Sequence, residues 1–260
     1  MVGIVSKSYW EDGYSETKPQ LAAKSDVVRC WIEKNVPAAD KDEKKSAIEI
    51  GCYPGRYLSV LGDLGYEVNG VDFCKQVEEL PASMEKAGYR IGNFWKQDFE
   101  QFQPNEKFDV VASFGFIEHF NNFEEILKKH AALVKSSGYL VVEVPNFFGA
   151  FQHWLHVHFD KNNYARHYIP AMNVERLAKV IHEEGYEILY KGYFGALDFW
   201  TEHEERGFFE KSILTVAYRL RPILKKMLPV DQRIYSPFCG LVARRQADTV
   251  ACVQQQVKPG

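Results

Sequence analysis

Five of the chain's eight histidines stand at 119, 153, 156, 158 and 167, four of them in or at the exit of one aromatic stretch, NFFGAFQHWLHVHFDKNNYARHYIP at 146–170. A neutral imidazole near pH 7 can take a proton from a reacting alcohol or amine, an effect of about 10²–10⁴-fold. His119 follows an apolar run, FDVVASFGFIEHF, and His167 closes the aromatic stretch. These two are the candidate general bases, with a purely structural role as the competing reading for each. His156 and His158 would share one face of a strand, with Asp160 nearby as an oxygen donor. Their spacing matches no strong zinc pattern.

A second group is acidic and glycine-rich. In AIEIGCYPGRY an apolar strand leads into a turn bearing Glu49, Gly51, Cys52, Tyr53 and Gly55. Asp72 closes the next strand and can accept both hydroxyls of a ribose. A dinucleotide fingerprint would need glycine at 53 and 56, where the chain has Tyr53 and Arg56. A ligand with a ribose and no pyrophosphate fits the turn better.

Alternating elements must position these groups. Strands are predicted at Ala47–Ile50, Glu67–Val71, Ile91–Lys96, Phe108–Ser113, Tyr139–Val144, Tyr186–Tyr193 and Phe238–Ala243. Helices are predicted at 19–35, Gly55–Leu64, Val77–Ala87, Phe123–Val134 and Asn173–Glu184. This alternation implies an α/β fold with a parallel sheet and helices on both faces. Residues 1–45 read as an N-terminal lid or helical segment, and 46–245 as one domain with insertions at 146–170 and 196–235. Residues 246–260 read as a flexible tail.

In this order and spacing the pieces resemble the class I S-adenosylmethionine-dependent methyltransferases. The resemblance is particularly to the small-molecule branch related to ubiquinone-biosynthesis O-methyltransferases. The resemblance covers roughly residues 46–195. Glu49, Gly51 and Gly55 meet its acid-x-Gly-x-Gly-x-Gly motif, with Tyr53 at the middle glycine. Asp98-Phe99 resembles the pair that reads adenine. FDVVASFGFIEHF and ILKKHAALVKSSGYLVVEVPN resemble the segments around its fourth and fifth strands. The resemblance implies a Rossmann-like, seven-stranded, mostly parallel sheet with an antiparallel last strand. It implies S-adenosylmethionine as cofactor, with contacts from Glu49, Gly51, Cys52, Tyr53, Gly55, Asp72, Phe73, Asp98, Phe99, Ser113 and Phe114. Tyr9, Trp10 or Tyr14 would fold over that cofactor, or else these aromatics simply anchor the N-terminal segment to the core. Some relatives hold a divalent ion with an acid three residues before the Glu-His pair. Gly115 stands there, so no essential metal is expected.

The acceptor is expected among Phe116, Asn146, Phe147, Phe148, Trp154, Tyr164, His167 and Trp200, an aromatic set suited to a sugar ring, a phenol or a lipid head group. The leading reading is O-methylation of a small molecule. N-methylation and a non-catalytic cofactor-binding protein are the alternatives.

Composition narrows the partners. The chain has 260 residues, 46% hydrophobic and 26% charged, which is ordinary globular usage. A net charge of -3 leaves no basic surplus for nucleic acid. Five cysteines without a CxxC pair fit reduced thiols, and no secretory core opens the chain, so a cytoplasmic location is expected. Residues 208–228 place Ile213, Val216, Ala217, Leu220, Leu224, Met227 and Leu228 on one helical face, with Pro222 expected to split the helix. Weak membrane-surface contact is one reading of that face. Packing on the sheet or across a homodimer is the favoured one.

Overall fold

The computed structural model describes residues 4–40, 42–202 and 204–247; most of the expected flexible tail lies outside them. Seven strands form one sheet: β1 (Ser46–Ile50), β2 (Glu67–Asp72), β3 (Ile91–Lys96), β4 (Phe108–Phe114), β5 (Val134–Pro145), β6 (Tyr186–Phe194) and β7 (Phe238–Arg245). Their order is β3-β2-β1-β4-β5-β7-β6. β7 runs antiparallel to β5 and β6, and β1 to β5 pair in parallel. This is the Rossmann-like sheet of the class I methyltransferase fold.

The helices are α1 (Lys7–Tyr14), α2 (Val27–Asn35), α3 (Leu58–Asp63), α4 (Leu80–Lys86), α5 (Phe123–Ala132), α6 (Ala150–Phe159), α7 (Lys161–Ala165), α8 (Val174–Glu183) and α9 (Phe208–Met227). Apolar residues sort them onto two faces. Phe123, Leu127, Leu177 and Ile181 pack on one side of the sheet, with Ile48, Val111 and Leu140. Trp31, Ile32, Leu61, Leu80 and Met84 pack on the other, with Ala47, Val68 and Val110. Capping sets the helix starts. Asp26 accepts from the Val28 and Arg29 N–H groups, and Asn173 accepts from those of Glu175 and Arg176.

Several expectations need correcting. The predicted helix over 19–35 begins only at Val27, because Asp26 caps it there. The helix predicted at Val77–Ala87 opens as a 3₁₀ turn at Lys75–Glu79 and becomes α-helical from Leu80, where Pro81 suits a first turn. His156 and His158 lie on helix α6, where a spacing of two puts side chains on nearly opposite faces; His156 is buried and His158 exposed. Pro222 does not split α9. It sits on an exposed part of one continuous helix, where the missing N–H costs least. The α9 face does not pack on the sheet either. Leu214 is the helix's one buried residue, and it joins Leu155, Phe159, Leu197 and Phe199 in a separate small core built by the two insertions. Among the described residues, no helix is long and apolar enough to cross a membrane.

Candidate active site

The chain runs outward from β1 to β3, then returns to β4 on the other side of β1. A crevice opens where the order reverses, at the carboxyl ends of the strands. A cavity of about 300 Å³ occupies it. Glu49, Gly51, Cys52, Tyr53, Asp72, Phe73, Asp98, Phe99, Phe114, Phe116 and His119 line that cavity. The turn after β1 explains the close approach. Gly51 has φ +71°, and a Cβ there would lie 2.5 Å from the Phe116 ring. Gly55 is not in the wall; it takes φ +89° and packs against Leu80 and Met84. Ser113 is fully buried beneath the wall, its hydroxyl without a described partner.

Three of the four carboxylates that line the cavity stand in different states. Asp72 is held rigidly. Its Oδ2 accepts the Tyr53 N–H at 3.0 Å and its Oδ1 the Cys74 N–H at 3.0 Å. Burial raises its pKa against the pull of these bonds, and each oxygen keeps a lone pair. Glu49 has a buried Oε2 with no hydrogen-bond partner, and burial, then the nearby Asp72, pushes its pKa well up. Asp98 is the most polarised. Burial opposes its charge, but Lys7 at 2.5 Å and the Glu100 N–H at 2.9 Å hold it below the usual range.

Helix α1 roofs the cavity. Lys7 reaches Asp98 and lies over the Phe73 ring at 5.9 Å. Trp10 meets the His119 ring edge-on at 4.8 Å, and Tyr14 meets Tyr53 at 5.1 Å. Tyr9 turns outward beside Arg166. The Tyr53 hydroxyl bonds the Thr17 carbonyl, so the residue at the missing glycine ties the roof to the turn. Lys7 had no signal in the sequence, a single cation in a segment without period.

His119 and Glu118 share the 3₁₀ turn Ile117–His119 after β4. His167 arrives from the loop after α7, and the two rings lie 4.8 Å apart. His119 Nδ1 bonds the Arg166 carbonyl at 2.9 Å, and His167 Nδ1 bonds the Asn163 carbonyl at 2.6 Å. A carbonyl only accepts, so both Nδ1 atoms carry the proton and both Nε2 atoms keep a lone pair. Burial lowers the pKa of His119 to about 4 and of His167 to about 3. Both rings are therefore neutral near pH 7. Glu118 lies beside them with both carboxylate oxygens buried and unpartnered, its pKa raised by burial to about 8. Its Oε1 is 3.9 Å from His119 Nε2. One donor atom from each of Glu118, His119 and His167 lies within 4.8 Å of the others, a set that could also hold a divalent cation.

The sequence profile of a family described as "Methyltransferase domain" matches residues 23–191. The chain belongs to that family. A ubiquinone biosynthesis O-methyltransferase of Bradyrhizobium diazoefficiens is 29% identical to this methyltransferase domain over 116 residues, 44% of the chain and 46% of that protein. The chain thus matches about half the length of such curated relatives. A SAM dependent methyltransferase from Archaeoglobus fulgidus superposes with a TM-score of 0.54 at 18% identity, over 84% of this chain and 93% of that one. The [4+2]-cyclase SpnF superposes at 0.52 with 14% identity, over 85% and 81%. At these identities the structures share the fold, and the fold alone does not fix the reaction.

The remaining expected residues of the methyltransferase domain fall into two groups. Phe147, Tyr164 and Trp200 gather near His167, with Phe147 4.9 Å from the His167 ring and 6.1 Å from both Tyr164 and Trp200. None of the three lines the main cavity. Asn146 and Trp154 stand elsewhere. Asn146 is fully buried, and its Nδ2 donates to the Arg233 and Ser236 carbonyls. Trp154 is 48% exposed, its ring tilted to that of His158 and edge-on to that of Phe159. Phe148 lies under the Arg233 guanidinium. His156 is buried, its Nδ1 2.7 Å from Asp160 Oδ2 and its ring 3.8 Å from that of Phe147.

Proposed function

We propose that the chain is an enzyme that methylates a hydroxyl of a small molecule, with S-adenosylmethionine as donor. The supporting observation is the pairing of a carboxylate-lined cavity with two adjacent neutral imidazoles. Glu49, Asp72, Asp98 and Glu100 line the cavity against Lys7 and Arg56. That balance suits a ligand carrying sulfonium and ammonium charge, and it opposes a pyrophosphate. The orphaned Oε2 of Glu49 offers an acceptor for the ammonium. Asp72 would take the ribose hydroxyls, Asp98 the adenine amine, and Phe73 and Phe99 the adenine faces.

When bound, the cofactor supplies an activated methyl group for in-line transfer. The protein then mainly holds the acceptor in line, which can contribute about 7–11 kcal/mol in favourable cases. Nε2 of His119 or His167 would take the hydroxyl proton. An imidazolium at His119 would in turn favour ionisation of the Glu118 carboxyl, which lies 3.9 Å from Nε2. Phe116 lines the cavity beside His119 and would form part of the acceptor wall, with Phe147, Tyr164 and Trp200 behind it around His167. Transfer to an amine uses the same groups and is the nearest alternative.

Isothermal titration with S-adenosylmethionine and S-adenosylhomocysteine, with NAD as control, tests the reading. Micromolar binding of the first two and none of NAD is expected. No binding of either sulfur compound would overturn it in favour of a protein that uses this fold otherwise. A divalent ion on Glu118, His119 and His167 is the second reading of the base site. Turnover that vanishes on chelation and returns with added cation would favour that reading over a metal-free base.

A further inference from the structure

Helix α9 carries two apolar stripes. The inner one, Leu214 with Ala217 and Leu224, packs on the small core of the two insertions. The outer one holds Phe209, Ile213, Val216, Leu220, Ile223 and Met227, all exposed. At 100° per residue these six fall within an arc of about 80°, along a helix about 30 Å long. Phe208 and Phe209 at its start are 79% and 81% exposed, and Met227 at its end is 70% exposed. A soluble surface rarely leaves so many large apolar side chains contiguous.

Charge identifies what covers the stripe. Five cations lie on α9: Lys211, Arg219, Arg221, Lys225 and Lys226. Arg221 and Lys225 turn inward to Asp198. Lys211, Arg219 and Lys226 are exposed and pair with no described acid. Glu210, the helix's one acid, is engaged by the Gly207 N–H at 3.0 Å and by Lys161 at 3.6 Å. The outer face therefore shows an apolar stripe bordered along one edge by two unpaired cations, Arg219 and Lys226, with no free carboxylate on the helix. An antiparallel two-fold contact with a second copy would bring Arg219 and Lys226 of both copies along one seam. A layer of lipid phosphates would neutralise them while the acyl boundary takes the stripe.

We propose that the outer face of α9 seats the protein on the surface of an anionic lipid bilayer. The helix lies in the interfacial plane, with Phe208 and Phe209 inserted and Arg219 and Lys226 at the headgroups. This is independent of the reaction proposed above.

The test is sedimentation of the full chain with vesicles of phosphatidylglycerol in phosphatidylcholine, and with phosphatidylcholine alone. The protein is expected to pellet with the anionic vesicles only. Phe208→Ser with Phe209→Ser should weaken partition by at least about tenfold. Arg219→Glu with Lys226→Glu should weaken it roughly a hundredfold. All of these positions are exposed, and circular dichroism checks that each variant folds. Three results would overturn the proposal: wild-type protein that stays in the supernatant, equal partition of wild type and both variants, or a wild-type dimer that the phenylalanine changes dissociate without any vesicle binding.

Discussion

His119 and His167 come from segments 48 positions apart in sequence, yet their rings lie 4.8 Å apart, each pinned through Nδ1 to a backbone carbonyl. Pinning fixes the tautomer and presents two Nε2 lone pairs. Replacing either ring by alanine removes a proton acceptor and leaves the strand-end turn intact. For the ring that acts as the base, kcat should fall about 10²–10⁴-fold with S-adenosylhomocysteine affinity retained. Full activity in both variants would remove histidine from the mechanism.

Asp72 makes a different prediction. Asp72→Ala deletes the acceptor expected for the ribose diol and strands the Tyr53 and Cys74 N–H groups. Two charge-assisted hydrogen bonds are worth about 1.5–3 kcal/mol each, so cofactor affinity should drop by at least about a hundredfold. Unchanged affinity in titration would mean that the ribose sits elsewhere.

Lys7 competes for the carboxylate assigned to adenine. An ion pair of this partly exposed kind is worth up to about 1 kcal/mol. Lys7→Gln should therefore tighten cofactor binding by up to about fivefold, most visibly at low salt. Weaker binding would instead show that Lys7 helps to hold the ligand.

Glu118 gives a pH signature. The unfolded chain loses this proton near the ordinary value of 4.5, while the folded protein keeps it to about pH 8. Its contribution to stability is therefore full below pH 4.5 and is lost as pH rises across that window. Glu118→Gln has no such loss. The stability of the variant relative to wild type should climb from pH 5 to pH 9 by on the order of 3 kcal/mol. A difference flat with pH, read by denaturant unfolding, would show that the carboxyl ionises normally.

The parallel sheet was legible because its strands are short apolar runs ending at turn signals, as in AIEIG and FDVVASF. Glu49 and Asp72 were legible as cavity acids for the same reason, since strand ends put them at the reversal of strand order. What stayed hidden depends on contacts between distant segments. Asn146 looked like an acceptor contact, but it bonds carbonyls 87 and 90 residues away. His156 and His158 looked like strand neighbours because WLHVHF is apolar enough for either period. The α9 stripe was visible as a pattern, but its exposure was not, because periodicity cannot tell which apolar face finds a partner.

Lys7 and Trp10 belong to one eight-residue helix, so releasing Asp98 and uncovering His119 on the Trp10 side are a single event. Ligand exchange at the adenine end and access to His119 from that side then share one clock. If α1 lifts as a unit, the two ends of the crevice open and close together. A variant that loosens α1 would speed the arrival and the escape of whatever the cavity holds in equal measure, leaving affinity less changed than residence time.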